Sequence, residues 1–244
     1  MGHQQLLLAL SRPDPPLRHL LVQDDTIHSS ITEVGKLKSL QELRRFVVEQ
    51  DDQGFELRQI GHLEELYGSL CIDSLENVEA PEEADEAKLM LKSHLHELIL
   101  RWNIHWSTND FALEEHVLER LKPSRNLQKL SIIGHRGGTC PSWLADSHAF
   151  PVESLQIDKW NASGKDLTQL FTYLPKLSDL LLCECEKVTG LAVNVKGQRA
   201  TGTPGPSSSA NEVEQQQDTR AEDDGLLLLP PQLQELDIKY EGMR

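Results

Sequence analysis

Two short clusters of this sequence bring together His, Glu and Cys, which are residue types that could bind a metal ion. His94, His96 and Glu97 lie within four residues, and Cys183 and Cys185 are separated by one residue. A helical zinc site of the protease type requires the spacing H-E-x-x-H, and zinc knuckles usually separate their paired cysteines by about two to four residues. Neither cluster has the required spacing, so we expect no metal site.

Glycine-rich stretches could instead bind phosphate, but their surroundings do not support this function. Gly35 and Lys36 are followed by Leu37 rather than Ser or Thr, and position 30 is Ser30, so the phosphate-loop pattern fails at both ends. The glycines at 134–138 are not followed by a helix pattern, and we interpret them as a turn. No Ser lies in a recognisable nucleophile context. The sequence therefore predicts no catalytic residue, no cofactor and no enzyme.

One apolar phrase recurs along the chain and must position any binding surface. It reads apolar-x-x-apolar-x-apolar and occurs at 17–22, 95–100, 127–132, 152–157, 177–182 and 233–238, with a looser copy at 37–43. Its last two apolar residues alternate as in a strand and share one face. This is the pattern of a leucine-rich repeat. A single unit cannot bury its apolar face, so neighbouring units must stack. We predict an α/β fold, a curved horseshoe with a parallel sheet on the concave face and short helices and loops on the convex face.

The spacing of the copies supports the repeat. Their first apolar residues are Leu17, Leu40, Tyr67, Leu95, Leu127, Val152, Leu177 and Leu233, at steps of 23, 27, 28, 32, 25, 25 and 56 residues. Most steps lie in or close to the range of roughly 20–29 that this repeat class shows. Helices are predicted from Pro81, where Ala84, Ala87, Leu91 and Leu95 form a helical stripe, and between Phe111 and Leu121. The long last step contains a polar segment rich in Gly, Pro, Ser and Gln.

These patterns divide the chain into four parts. We expect an irregular segment at 1–16, the solenoid at 17–194, a disordered low-complexity insertion at 195–225 and a final truncated repeat at 226–244. The net charge of −15 argues against a nucleic-acid surface. The absence of an 18-residue apolar run argues against a membrane span. Four cysteines suggest reduced thiols and a cytoplasmic protein.

Several segments resemble one family. They are ITEVGKLKSLQEL at 31–43, GSLCIDSLENV at 68–78, EEADEAKL at 82–89, HLHELILRW at 94–102 and PSWL at 141–144. They are similar to the repeat region of plant nucleotide-binding leucine-rich-repeat disease-resistance proteins, of the coiled-coil class found in grasses. The resemblance covers about Leu17 to Trp160, and beyond it only the generic repeat continues. No segment of this sequence matches the nucleotide-binding motifs of that family.

The resemblance implies the sensor end of an intracellular immune receptor. In that family the repeats recognise a pathogen effector or a modified host protein, and they hold the nucleotide-binding domain of the same receptor inactive. We therefore expect a protein-recognition module that functions in plant defence, present here as a fragment or a truncated gene product. Three alternatives stay open: a free-standing scaffold or remnant without signalling activity, a substrate receptor of a ubiquitin ligase, and an enzyme.

The expected protein-binding residues are the strand positions that the core does not use. They lie between or beside the apolar residues of four successive phrases: His96, Glu97, Ile99, Arg101, Gln128, Lys129, Ser131, Ile133, Glu153, Ser154, Gln156, Asp158, Ser178, Asp179 and Leu181. The concave sheets of solenoids commonly offer extended binding surfaces. Trp102 and Trp160 follow two of these strands, and we expect both to be buried.

Overall fold

A computed structural model describes the chain at residues 17–20, 33–49, 56–103, 110–145, 150–193 and 224–240. The expected irregular segment at 1–16 lies outside these residues. So does the expected insertion at 195–225, apart from Asp224 and Gly225.

A parallel sheet runs through the described residues as the predicted solenoid requires. Its seven strands are β3 (Arg45–Val47), β4 (Tyr67–Asp73), β5 (His94–Arg101), β6 (Lys129–Ile133), β7 (Ser154–Asp158), β8 (Asp179–Cys183) and β11 (Glu235–Lys239). Their order across the sheet is β11-β8-β7-β6-β5-β4-β3. With the exception of β11, strands that are neighbours in this sheet follow one another along the chain. Two further pairs are also parallel: β1 (His19–Leu20) with β2 (Glu42–Leu43), and β9 (Gly190–Val193) with β10 (Leu226–Leu229).

In the described residues, α-helices connect the strands, and the two longest of them begin at a side-chain cap. They are α1 (Arg58–Gly61), α2 (Pro81–Glu86), α3 (Phe111–Arg120) and α4 (Gly164–Thr172). Asp110 accepts the backbone N–H of Leu113 at 3.0 Å, and Ser163 forms a capping box with Asp166. Short 3-10 helices lie at Val34–Lys36, Leu75–Asn77 and Leu89–Leu91.

The core consists of two rows of aliphatic side chains on the inner face of the sheet. The backbone register aligns Leu98, Leu130, Leu155, Leu180 and Leu236 in one row and Leu100, Ile132, Ile157, Leu182 and Ile238 in the next. From β5 to β8 these residues are at most 2% exposed. Each row is shared between neighbouring repeats, so no repeat has to bury its apolar face alone. The predicted leucine-rich-repeat solenoid is confirmed.

Two details of the predicted frame are wrong. Leu66 rather than Tyr67 is the first inward residue of its repeat, since Leu66 is 1% exposed and Tyr67 39%. The register between β4 and β5 also shifts here, since Gly68 pairs with Leu95 and Ser69 with Glu97, and Gly68 has φ +80°.

The second wrong detail is the helical stripe that starts at Pro81. It ends early because Lys88 adopts a left-handed conformation with φ 49°. The following 3-10 turn buries Leu89, whereas Leu91 is 69% exposed.

Among the described residues no helix is long and apolar enough to cross a bilayer.

Candidate functional site

The solvent-facing side of the sheet, called the concave face below, is built from the strand residues that alternate with the core rows. All fifteen residues predicted to bind a partner lie on it, on β5 to β8 or on the residues that lead into β6, β7 and β8. Each of them is exposed or half-buried. The strand alternation therefore assembles these side chains into one surface. Their contact with a partner stays a prediction.

The concave face is organised in three rows that cross the strands. The register aligns Glu97, Lys129, Ser154, Asp179 and Glu235 in the first row, then Ile99, Ser131, Gln156, Leu181 and Asp237, then Arg101, Ile133, Asp158, Cys183 and Lys239. Neighbours in a row lie about 4.8 Å apart along the sheet. Within the middle row the Ser131 hydroxyl donates to Gln156 Oε1 at 3.3 Å.

The concave face extends beyond the predicted residues at both ends. On β3 and β4, Asp73 accepts hydrogen bonds from Arg45 at 2.5 Å and from Arg101 at 3.3 Å. On β11, Lys239 and Asp237 pair at 3.0 Å. The positions of two of these residues could have been predicted from the sequence. Asp73 follows the inward Ile72 and Lys239 follows the inward Ile238, in the same way as Arg101 follows Leu100.

Four of these residues, Arg45, Asp73, Arg101 and Lys239, line a groove of about 570 Å³ along the third row. Arg45, Asp73 and Arg101 form its first end, Ile133 its centre, and residues that follow β7 and β8 its far side. There Lys159 lies 2.8 Å from Glu184. The groove thus brings together side chains from all seven strands of the sheet.

Three buried aromatic rings support the concave face from below. Trp102, His135 and Trp160 follow β5, β6 and β7, and each is at most 2% exposed. The His135 ring lies 5.0 Å from the Trp102 ring and 5.6 Å from the Trp160 ring, edge-on to both. The predicted burial of both tryptophans is confirmed. Burial lowers the pKa of His135 to about 4, so this imidazole is neutral at neutral pH.

Carboxylates of α3 fix the loop that follows β6. Glu114 accepts the backbone N–H of Arg136 at 2.9 Å and its guanidinium at 2.8 Å. Glu115 accepts the N–H groups of Gly138 and Thr139 at 2.7 and 3.1 Å. Burial tends to raise the Glu115 pKa, but these backbone donors outweigh it and hold the pKa below its usual value. The glycine segment 134–138 is therefore a turn between repeats, as predicted.

The cysteines are not activated. All four are free, and burial raises the pKa of Cys71 and Cys185 to about 11 and that of Cys140 to about 12. Burial likewise raises the pKa of Cys183, so these thiols are protonated at neutral pH. Among the described residues no group of three or more His, Cys, Asp and Glu side chains could hold a metal ion. The concave face therefore offers its chemistry through hydrogen bonds, charge and apolar contact.

A parallel sheet with aligned leucine rows, an open concave face and short convex helices defines a leucine-rich-repeat solenoid. The family described as R13L1/DRL21 leucine-rich repeats matches residues 57–191, which is more than half of the chain. The chain belongs to this family.

Curated relatives are plant disease-resistance proteins. The chain is 39% identical over 127 residues to "Disease resistance protein RGA2" of Solanum bulbocastanum, which covers 52% of this chain and 13% of that protein. It is 35% identical over 132 residues to "Putative disease resistance protein RGA1" of the same species, and 34% identical over 142 residues to "Putative disease resistance RPP13-like protein 1" of Arabidopsis thaliana. Each alignment covers 13% of the relative's length, so these proteins are several times longer than the matched segment. The matched segment of this chain is thus similar to one part of plant disease-resistance proteins.

Proposed function

We propose that this chain is a protein-recognition module of a plant immune receptor and that its concave face binds the partner. The observation that carries the proposal is the continuous, solvent-facing surface over β4 to β8 and β11, whose side chains change in charge and polarity from strand to strand while the core rows beneath stay aliphatic. Such a rigid, varied surface suits selective protein binding rather than catalysis.

Two roles fit this surface. We extend both to this chain because its relatives are named as disease-resistance proteins. In the first, the concave face recognises a pathogen effector or a modified host protein in the cytoplasm. In the second, it contacts the nucleotide-binding domain of the parent receptor and keeps that domain inactive. Recognition of an effector or a modified host protein is the primary proposal, because the chemistry of the outer rows varies between strands. Selective binding of one separate partner requires such variation.

Within this proposal the domain boundaries follow the sequence. The solenoid occupies 17–194, the segment 195–225 is an insertion that interrupts the array, and 226–244 is the final repeat. Support comes from the parallel pairing of β11 with β8, which continues the main sheet after the insertion. The concave face thus continues from β8 to β11.

Photo-crosslinking in plant cells tests whether the concave face binds a protein. A benzophenone amino acid replaces Gln156, which lies in the middle outer row, or Gln169, an exposed residue of α4 on the opposite side of the sheet. The two positions start from the same residue type, which makes Gln169 a matched control. We expect a discrete crosslinked adduct from position 156 and none from position 169. Equal adducts from both positions, or none from 156, would contradict the proposal.

A further inference from the structure

Two neighbouring apolar side chains on the helix side of the sheet are largely exposed to solvent. Met90 is 59% exposed and Leu91 is 69% exposed. They lie on the 3-10 turn Leu89–Leu91, which buries only its first residue. Single exposed apolar side chains are normal on a protein surface, whereas contiguous ones mark candidate interaction sites. Met is also enriched where proteins contact partners.

An equivalent turn in an earlier repeat shows that the stack does not require apolar residues here. The 3-10 turn Val34–Lys36 also follows a residue in the left-handed conformation and also buries its first residue. Lys36 occupies the position of Leu91 in this turn, and its side chain is 60% exposed. The turn therefore forms with a lysine at this position, so the packing of the repeats does not explain the leucine.

Met90 and Leu91 line a cavity of about 660 Å³ between their turn and α3, called the convex cavity below. Its lining consists of Asp85, Lys88, Leu89, Met90, Leu91, His116, Glu119, Arg120 and Lys122. The volume lies in the range of roughly 300–1,000 Å³ that ligand pockets occupy. Arg120 of α3 pairs with Asp85 and, at 3.1 Å, with Glu82, and thereby ties α3 to α2 beside the cavity.

Charged side chains of both signs surround the apolar residues of the convex cavity. Asp85 and Glu119 supply carboxylates, and Lys88, Arg120 and Lys122 supply cations. A charged group of either sign that entered the cavity would lose its hydration and meet a like charge. An aliphatic side chain would meet no such repulsion and would cover the exposed apolar surface. The lining therefore matches an uncharged, aliphatic group.

We propose that the convex cavity binds aliphatic, uncharged side chains of a protein partner, at a second surface separate from the concave face. Such side chains would remove Met90 and Leu91 from water while the surrounding charges stay at the rim. An apolar centre with a polar rim is the usual anatomy of a protein interface. Binding at this cavity does not require the concave face, so it goes beyond the function proposed above.

Methyl NMR of methionine tests this inference, because the chain has three methionines and Met90 is the one that lines the cavity. The full chain, labelled with ¹³C at its methionine methyl groups, is titrated with acetyl-Ser-Leu-Gly-Leu-Ser-amide. Three further probes carry Ala, Asp or Lys at both Leu positions. Met90→Leu removes one signal and so assigns it.

We expect the Leu probe to shift the Met90 signal saturably and to bind about fivefold more tightly than each of the other three probes. The signals of Met1 and Met243 should not move. Tightest binding of the Lys probe, which the net charge of −15 alone would favour, would overturn the inference. A Met90 signal that no probe shifts would overturn it as well.

A matched pair of variants identifies the convex cavity as the site. Leu91→Lys copies the residue of the equivalent turn, so it should preserve the fold and abolish the preference for the Leu probe. Leu191→Lys makes the same change at a leucine of β9 that is 44% exposed and outside the cavity, and it should leave the preference unchanged. If the two variants behave alike, the inference fails. The crosslink from position 156 reports on the concave face, so that failure would leave the proposed function standing.

Discussion

The two faces of the seven-stranded sheet follow different rules. On the inner face, the aligned positions from β5 to β11 contain only leucine and isoleucine. On the concave face, the middle row changes from Ile99 to Ser131, Gln156, Leu181 and Asp237 between neighbouring strands. The stacking of the repeats thus constrains the residues of the inner face and leaves the residues of the concave face unconstrained. Substitutions on the two faces should therefore separate stability from binding.

The largest effect is expected from a charge on the inner face. Leu130 is 1% exposed and packs between the corresponding leucines of β5 and β7. Leu130→Asp buries an unpaired carboxylate and should cost about 4 kcal/mol or more, enough to unfold the array. Ser131→Asp places the same charge one residue away on the concave face and should change the free energy of unfolding by under about 0.5 kcal/mol. Urea denaturation followed by circular dichroism measures both, and equal costs would contradict the assignment of faces.

The second effect concerns His135, which lies beneath the concave face. Its pKa is about 4 in the folded protein, against an ordinary value of 6.5. Between these values the unfolded chain binds a proton that the folded protein does not, so the free energy of unfolding falls as the pH is lowered from 6.5 to 4. The loss attributable to this residue is of the order of 3 kcal/mol.

A double difference isolates that loss. His135→Leu removes the imidazole, so the wild type should lose more stability than the variant between pH 6.5 and 4 in denaturant titrations. Glu115, whose lowered pKa also makes the folded state less stable as the pH falls, is present in both proteins, and because His135 is the smallest of the causes that lower its pKa, most of its contribution cancels. Parallel stability curves for the two proteins would show that His135 is not the titrating group.

The regular part of the molecule could be predicted from sequence because it rests on one physical requirement. Each strand must alternate inward and outward residues, and each repeat must align its inward residues with those of its neighbour. This requirement gave the inner rows, the fifteen concave positions from β5 to β8, and the burial of Trp102 and Trp160. The predicted contacts of these concave residues with a partner stay a prediction.

The irregular parts could not be predicted because they depend on single backbone conformations. The pairing of β4 with β5 shifts between Gly68 and Ser69, and the left-handed Lys88 ended a helix that the apolar spacing would have continued to Leu91. The extra residue between the inward Leu43 and Phe46 hid the position of Arg45. Charge clusters such as Arg45, Asp73 and Arg101 join different repeats, so they appear only once the register between strands is known.

A buried lysine on the helix side of the sheet gives the third effect. Lys92 is 2% exposed, and its amine donates to the Leu63 carbonyl at 2.7 Å. Burial lowers its pKa from 10.5 to about 8. Between these values the unfolded chain holds a proton that the folded protein lacks, so this residue makes the free energy of unfolding rise with pH, by roughly 3 kcal/mol over the whole interval.

Lys92→Met tests this assignment. The methionine keeps the buried stem and removes the titrating amine, so the wild type should gain stability relative to the variant from pH 8 to 10. Cys71, whose raised pKa acts in the opposite direction over this range, is common to both proteins. A difference between the two proteins that does not vary with pH would exclude Lys92 as the source.

A small effect on stability is also expected on the concave face at Arg101. Its pair with Asp73 is 3.3 Å long, its side chain is 40% exposed, and Asp73 keeps Arg45 as a partner when Arg101 is replaced. Arg101→Gln should therefore lower the free energy of unfolding by under about 1 kcal/mol. Leu100→Gln, one residue earlier on the inner face, should cost several times more because it buries an amide without a partner. If both substitutions cost the same in urea denaturation, Arg101 contributes to the core rather than to a surface available for binding. The separation between the two faces would then fail at Arg101.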